Sequence, residues 1–163
     1  MDVMILIGSP SDQEIVKDAL DTLKAFDVPF ALEVTSAHRS PDRTVELVRR
    51  GEAEGTEVFI AVAGKAAHLG GVVAAHTTRP VIGVPVESGG LGGLDALLST
   101  VQMPRGVPVA TMGTGKTGAA NAALLAVQIL AVKNAGLRRK LAEFKGRLAA
   151  QVEADSEKVK QGQ

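Results

Sequence analysis

The 163-residue sequence contains no cysteine, tryptophan or tyrosine and only four phenylalanines. Without cysteine there are no disulfides, thiolate nucleophiles or zinc–thiolate centres, and the redox compartment stays undecided. So few aromatic rings leave no stacking platform for the bases of a nucleic acid. Neither sign of charge dominates: 18 Lys and Arg balance 18 Asp and Glu. A formal net charge of zero argues against a general attraction to nucleic acid or to an acidic membrane. No stretch reaches the roughly 18 uncharged apolar residues of a membrane span. The chain opens with Met1-Asp2 and passes directly into Val3–Ile7, without the basic and long apolar regions of a signal peptide. The expectation is a cytoplasmic protein with neither nucleic acid nor membrane as partner.

What is present is small and aliphatic. Apolar residues make up 45% of the chain, and there are 18 glycines. A core must then be filled by Val, Ile, Leu and Ala, which suits buried parallel strands covered by Ala-rich helices. The length is that of one domain, taken here as residues 1–163.

Short apolar runs alternate with helical patterns. Val3–Ile7 predicts a first strand. Asp12 is placed to cap a helix reaching about Phe26, with Ile15, Val16, Ala19, Leu20 and Leu23 on one face. Phe30–Thr35 predicts the second strand. The loop Ser36–Ser40 leads to Pro41 in a first helical turn, and that helix runs to Gly51. Val58–Val62, Val81–Val84 and Val107–Thr111 predict three further strands, with a short helix near Leu69–His76 and a long one over about Thr117–Val132. A charged helix over about residues 137–160 ends the chain. Strands alternating with helices imply right-handed crossovers and a three-layer α/β/α sandwich around a flavodoxin-like, parallel five-stranded sheet. Ligands of such sheets sit beyond the carboxyl ends of the strands, near the switch point of strand order. The loops after strands one, two and three are therefore the ones to inspect. The last helix has no sheet left to cover. Its Leu141, Phe144, Leu148 and Val152 repeat at three- and four-residue spacing, which predicts packing on another subunit or on the outside of its own.

The most conspicuous motif is a decoy. Ala110-Thr-Met-Gly-Thr-Gly-Lys-Thr117 nearly spells a Walker A loop, and Gly113-Thr-Gly-Lys-Thr-Gly118 also fits the dinucleotide fingerprint. Neither has its partners. No later strand remains to supply a magnesium-binding Asp, and no acidic residue follows a next strand to hold a ribose. A tight turn with close helix packing is the better reading.

Three other loops carry chemistry. Gly8-Ser9-Pro10-Ser11-Asp12 sets two hydroxyls at a helix N-terminus, where orphan N–H groups favour phosphate. Asp12 could hold sugar hydroxyls there, or Ser11 or Asp12 could merely cap the helix. Ser36-Ala37-His38-Arg39-Ser40-Pro41 puts an imidazole beside a permanent cation. Free imidazole titrates near about 6.5, so it can take and give a proton, and the guanidinium fork suits phosphate. Ala63-Gly64-Lys65-Ala66-Ala67-His68-Leu69-Gly70-Gly71 is built of small residues that let a ligand approach the backbone. It also reads as a glycine turn into a helix with His68 as a polar cap. His76 reads as a helix-surface residue. The three histidines have no metal-like spacing, so no metal is expected.

Six segments taken together resemble one family. They are Gly8-Ser-Pro-Ser-Asp12, Ser36-Ala-His-Arg-Ser-Pro41, Ala66-Ala-His-Leu69, Gly83-Val-Pro-Val86, Val101-Gln-Met-Pro-Arg-Gly-Val-Pro-Val109 and Gly118-Ala-Ala-Asn-Ala-Ala-Leu-Leu-Ala126. In this order they are similar to the PurE family, whose members interconvert carboxylated aminoimidazole ribonucleotides in purine biosynthesis. The resemblance implies a mutase acting on N5-carboxyaminoimidazole ribonucleotide and CO2, usually as a homo-octamer, without metal or organic cofactor. It implies His38 as general acid/base and Ser9, Ser11, Asp12 and Arg39 as ligands of the ribose phosphate. Gly8, Ser36, Ala37, Gly64 and Lys65 complete the expected binding residues, and Ala66, Ala67, His68 and Leu69 would line the place where CO2 is held. Two positions depart from the family's pattern: Lys65 stands where mutases commonly have Gly, and Gly70 where Pro is usual. A basic residue at position 65 is typical of the animal-type relatives, which carboxylate aminoimidazole ribonucleotide directly. Arg39 and His68 follow the mutase pattern instead. The alternatives carried forward are a direct carboxylase and a non-catalytic nucleotide-binding module.

Overall fold

Five consecutive residues with almost no solvent contact, Val3–Ile7, form the interior strand β1. The computed structural model describes residues 1–162. In chain order the further elements are α1 (Gln13–Ala25), β2 (Phe30–Val34), α2 (Pro41–Ala53), β3 (Val58–Gly64), α3 (Leu69–Ala74), β4 (Val81–Val86), α4 (Leu94–Val101), β5 (Ala110–Thr111), α5 (Gly115–Ala131) and α6 (Ala135–Gln161). All strand pairs are parallel, in the order β2-β1-β3-β4-β5. This is the expected flavodoxin-like sheet. The chain packs as two compact units, Met1–Val127 and a second beginning at Gln128. The first holds the sheet, and the second holds α6.

The pleat sends alternate residues of β1 to opposite faces. Met4 and Leu6 join Phe59 and Ala61 of β3 against Leu47 and Val48 of α2 and Leu69 and Val73 of α3. Val3, Ile5 and Ile7 face the other way, where the hand of the crossover places α1 and its buried stripe Val16, Ala19 and Leu23. β1 is thus the strand at which successive connections change sides.

Several boundaries differ from the sequence reading. β4 continues through Pro85 to Val86. Proline removes a ladder donor, but β5 pairs only with Ile82 and Gly83, so the β5 side is already open at position 85. β5 has two residues rather than five: Pro108 cannot donate, and Val107-Pro108-Val109 stays outside the ladder. Helix α4 was not anticipated. It follows the run Gly89-Gly-Leu-Gly-Gly93, which masks a start signal, and Gly93 enters it with φ +82°. Gly83 of β4 is a socket for its neighbours. A Cβ there would lie 2.4 Å from Thr100 Cγ2 of α4 and 2.9 Å from Val109 Cγ1.

α6 is capped by Asn134, whose side chain accepts from the Leu137 N–H. Leu148, Val152 and Val159 of this helix are exposed, as are Leu94, Leu98 and Val101 of α4. Among the described residues no helix is long and apolar enough to cross a membrane.

Candidate active site

The loops after β1, β2 and β3 meet at the carboxyl end of the sheet, where the connections on either side of β1 diverge. They enclose a cavity of about 630 Å3 lined by Gly8, Ser9, Ser11, Asp12, Ser36, Ala37, His38, Arg39, Ala63, Gly64, Lys65, Ala66, His68, Leu69 and Ser88. This is the size of a small-ligand pocket, placed where the switch-point rule puts one.

The first loop turns tightly before α1. Ser9 is extended (φ −151°, ψ 150°) and its side chain accepts from the Ser11 N–H, starting a 3-10 turn over Pro10–Asp12. Ser9 thus caps the 3-10 turn, and Asp12 holds the N-cap position of α1 itself. Ser11 Oγ donates at 2.8 Å to Ser9 Oγ and lies 3.4 Å from Asp12 Oδ1. Asp12 makes no side-chain cap bond to α1 and is almost fully buried. Burial pushes its carboxyl above the ordinary 3.8, against the opposing effects of the Ser9 backbone and the Ser11 hydroxyl.

The second loop is held by its own hydroxyls. Arg39 N–H donates to Ser36 Oγ at 3.2 Å, Ser40 N–H to the Ser36 carbonyl at 2.9 Å, and Ser36 N–H to Ser40 Oγ at 3.1 Å. This turn exposes His38 and Arg39 to the cavity. The Arg39 guanidinium reaches back to donate to the Gly8 carbonyl at 3.4 Å, joining the first and second loops.

The third loop brings the decisive partner. His38 Nε2 lies 2.7 Å from His68 Nδ1, with the rings edge to face at 4.8 Å between centroids. His68 sits at the N-cap position of α3 but makes no capping bond. Its ring serves the cavity instead. At this separation one nitrogen must donate and the other accept, so each imidazole fixes the other's tautomer. The pair can hand a proton to a ligand and take one back. His76 is not part of it, bonding instead to the Val72 carbonyl.

Lys65 is exposed at the cavity wall in the left-handed region, φ +56°, which non-glycine residues rarely occupy. The neighbouring glycine has a different task from the one expected. A Cβ on Gly64 would meet Ser88 Oγ at 2.3 Å and the Val86 carbonyl at 2.9 Å. Its bareness admits the strand next door, not only a ligand. Ala67 is the one expected site residue outside the cavity lining: its methyl is turned inward and buried. Ser88 lies in the loop after β4, beyond the three loops that the sequence singles out, although the strand-end rule applies equally there. Lys116 of the near-Walker loop is exposed at the start of α5 and does not line the cavity.

Fold and site together define a flavodoxin-like α/β protein with a cavity at its switch point lined by hydroxyls, a guanidinium and two imidazoles. More particularly, the chain belongs to the AIR carboxylase family, whose model matches residues 2–151. It is 50% identical over 159 residues to the N5-carboxyaminoimidazole ribonucleotide mutase of Methanocaldococcus jannaschii, covering 98% of each chain. It is 55% identical over 141 residues to the mutase of Bacillus subtilis, covering 86% of this chain and 87% of that one. The crystal structure of Treponema denticola PurE superposes with a TM-score of 0.87 at 27% identity, covering 96% of both chains.

Proposed function

We propose that this chain is an N5-carboxyaminoimidazole ribonucleotide mutase of purine biosynthesis, with His38 as its acid/base. The observation that carries the reading is the 2.7 Å contact between His38 and His68 inside the switch-point cavity, in a chain half identical to mutases over nearly its whole length.

Ser9, Ser11 and Arg39 suit a ribose phosphate, and the Asp12 carboxylate suits ribose hydroxyls. The imidazole base of the nucleotide then faces the histidine pair. Proton delivery to the exocyclic nitrogen breaks its bond to the carboxylate and releases CO2, leaving an electron-rich aminoimidazole. C4 attacks the retained CO2, and His38 removes the C4 proton to restore aromaticity. One proton enters and one leaves, so a single acid/base serves both steps. Ala66 and Leu69 give the wall an apolar portion suited to holding CO2 against escape.

We further propose a cytoplasmic homo-octamer that needs no metal or organic cofactor. The exposed apolar faces of α4 and α6 support self-association, and light scattering at micromolar concentration should give a mass well above 16.8 kDa. Lys65 favours a second reading, direct carboxylation of aminoimidazole ribonucleotide, since it adds a cation at the cavity wall. Assays with both substrates separate the two. The mutase reaction should be the faster at physiological CO2, and a faster bicarbonate-driven carboxylation would replace it by the second reading. His38→Asn should abolish turnover while leaving nucleotide affinity nearly unchanged. Turnover within a few-fold of the parent would remove His38 from the mechanism.

A further inference from the structure

Beneath the loop that carries His38 and Arg39 lies a set of hydroxyls that stability does not require. Thr35 and Thr44 are 2% and 0% exposed. Thr35 is buried just past the end of the edge strand β2, where valine would serve as well as threonine, and inside a helix threonine is a poor former. A buried hydroxyl costs free energy unless it is bonded. Here each one is bonded, and the bonds lead to the active loop.

Thr35 Oγ1 lies 2.8 Å from Thr44 Oγ1 and 3.4 Å from Ser40 Oγ. Thr44 Oγ1 can donate to the Ser40 carbonyl at 3.3 Å, and Ser40 Oγ to the Ser36 carbonyl at 3.2 Å. Each hydroxyl has one proton. If Ser40 spends its proton on Ser36 and Thr44 spends its own on Ser40, the shortest remaining contact is Thr35 donating to Thr44. All three protons are then used, and the chain runs one way, from Thr35 through Thr44 to the turn. Thr35 N–H also donates to the Ile7 carbonyl at 3.0 Å, anchoring the array on β1.

We propose that Thr35, Thr44 and Ser40 are positioning residues for His38 and Arg39. They tie the 36–40 turn to the end of β1 and so fix the reach of the His38 ring to His68. The catalytic part of this inference rests on the mutase reading; the geometric part does not.

The test uses the full-length protein. The 15N imidazole signals of His38 and His68 report their hydrogen bond without substrate, and His76 is an internal control away from the pair. Thr44→Val should remain folded with a lowered Tm, because the buried Thr35 hydroxyl keeps only its 3.4 Å contact to Ser40 Oγ. It should shift the His38 and His68 signals, leave those of His76 in place, and lower kcat per folded enzyme roughly tenfold or more, as small misplacements of reacting groups do. Thr44→Ser, which keeps the hydroxyl, should restore both readouts. If Thr44→Val does not fold, Ser40→Ala breaks the array at its partly exposed end and should move the same two signals. Parent-like signals and parent-like kcat in the folded variant would overturn the proposal. If the parent chain has no mutase activity but Thr44→Val still disturbs the pair, the functional reading fails and the positioning role stands.

Discussion

Replacing Lys65 by glycine separates what this residue costs the fold from what it does for the ligand. At φ +56° the lysine Cβ crowds the following carbonyl, which costs about 1–2 kcal/mol. Glycine removes that strain but loses about 0.5–1 kcal/mol more through the freedom of the unfolded chain. The net expectation is a gain of about 0.5–1 kcal/mol, or roughly 1–4 °C in Tm for a chain of this size. Lys65 is exposed and makes no hydrogen bond or ion pair among the described residues, so no lost contact offsets the gain. Lys65→Asn tests the strain independently, because asparagine tolerates the left-handed region, and it should fall between the two. Differential scanning calorimetry reads this without ligand. Titration with the C4-carboxylated aminoimidazole ribonucleotide, which carries both a carboxylate and a phosphate, at low and high salt then reads the charge. If the ammonium only faces solvent, affinity hardly changes. If it bonds the substrate carboxylate or phosphate, a charged hydrogen bond of about 1.5–3 kcal/mol is lost, and affinity falls roughly tenfold or more with a weaker salt dependence. A Tm below the parent's in Lys65→Gly would refute the strain argument.

Further outcomes follow from other buried or solvated groups. A carboxyl raised by burial holds its proton more tightly in the folded state, so its stabilising contribution is present below 3.8 and lost as pH rises through the raised value. Asp12→Asn should therefore match the parent in urea melts below pH 3.8 and exceed it at neutral pH; an Asn variant less stable at neutral pH would contradict this. Thr56 Oγ1 is buried without a hydrogen-bond partner among the described residues, so Thr56→Val should raise stability by about 1 kcal/mol or more in chemical denaturation, and a loss would point to a partner. Lys116→Ala should leave turnover unchanged, and calorimetry should detect no magnesium-dependent ATP binding; micromolar binding would restore the near-Walker loop as a site.

The sheet was legible because buried parallel strands announce themselves as short aliphatic runs, and β1 matched to the residue. Proline and glycine blurred the rest. Pro85 looked like a strand end because sequence does not reveal which side of the strand lacks a neighbour, and the glycines before α4 hid a helix start. In the candidate site, residue types and strand-end position were enough to single out the three loops. Pairing across them was not visible: His38 and His68 are thirty positions apart, and only the parallel register of β1 with β2 and β3 brings their loops together. The same limit applies to Ser88, which fills the space that Gly64 leaves empty.

The socket at Gly83 also bears on how this chain can evolve. The two side chains that occupy it come from positions 17 and 26 residues further on, Thr100 and Val109. In a genetic selection, Gly83→Ala alone should behave as a null allele, and its suppressors should map to codons 100 and 109, as Thr100→Ser and Val109→Ala. Single-site scanning would score position 83 as immutable. Inherited as a haplotype with its suppressors it is not, and a lineage can cross that step only when the outer changes come first.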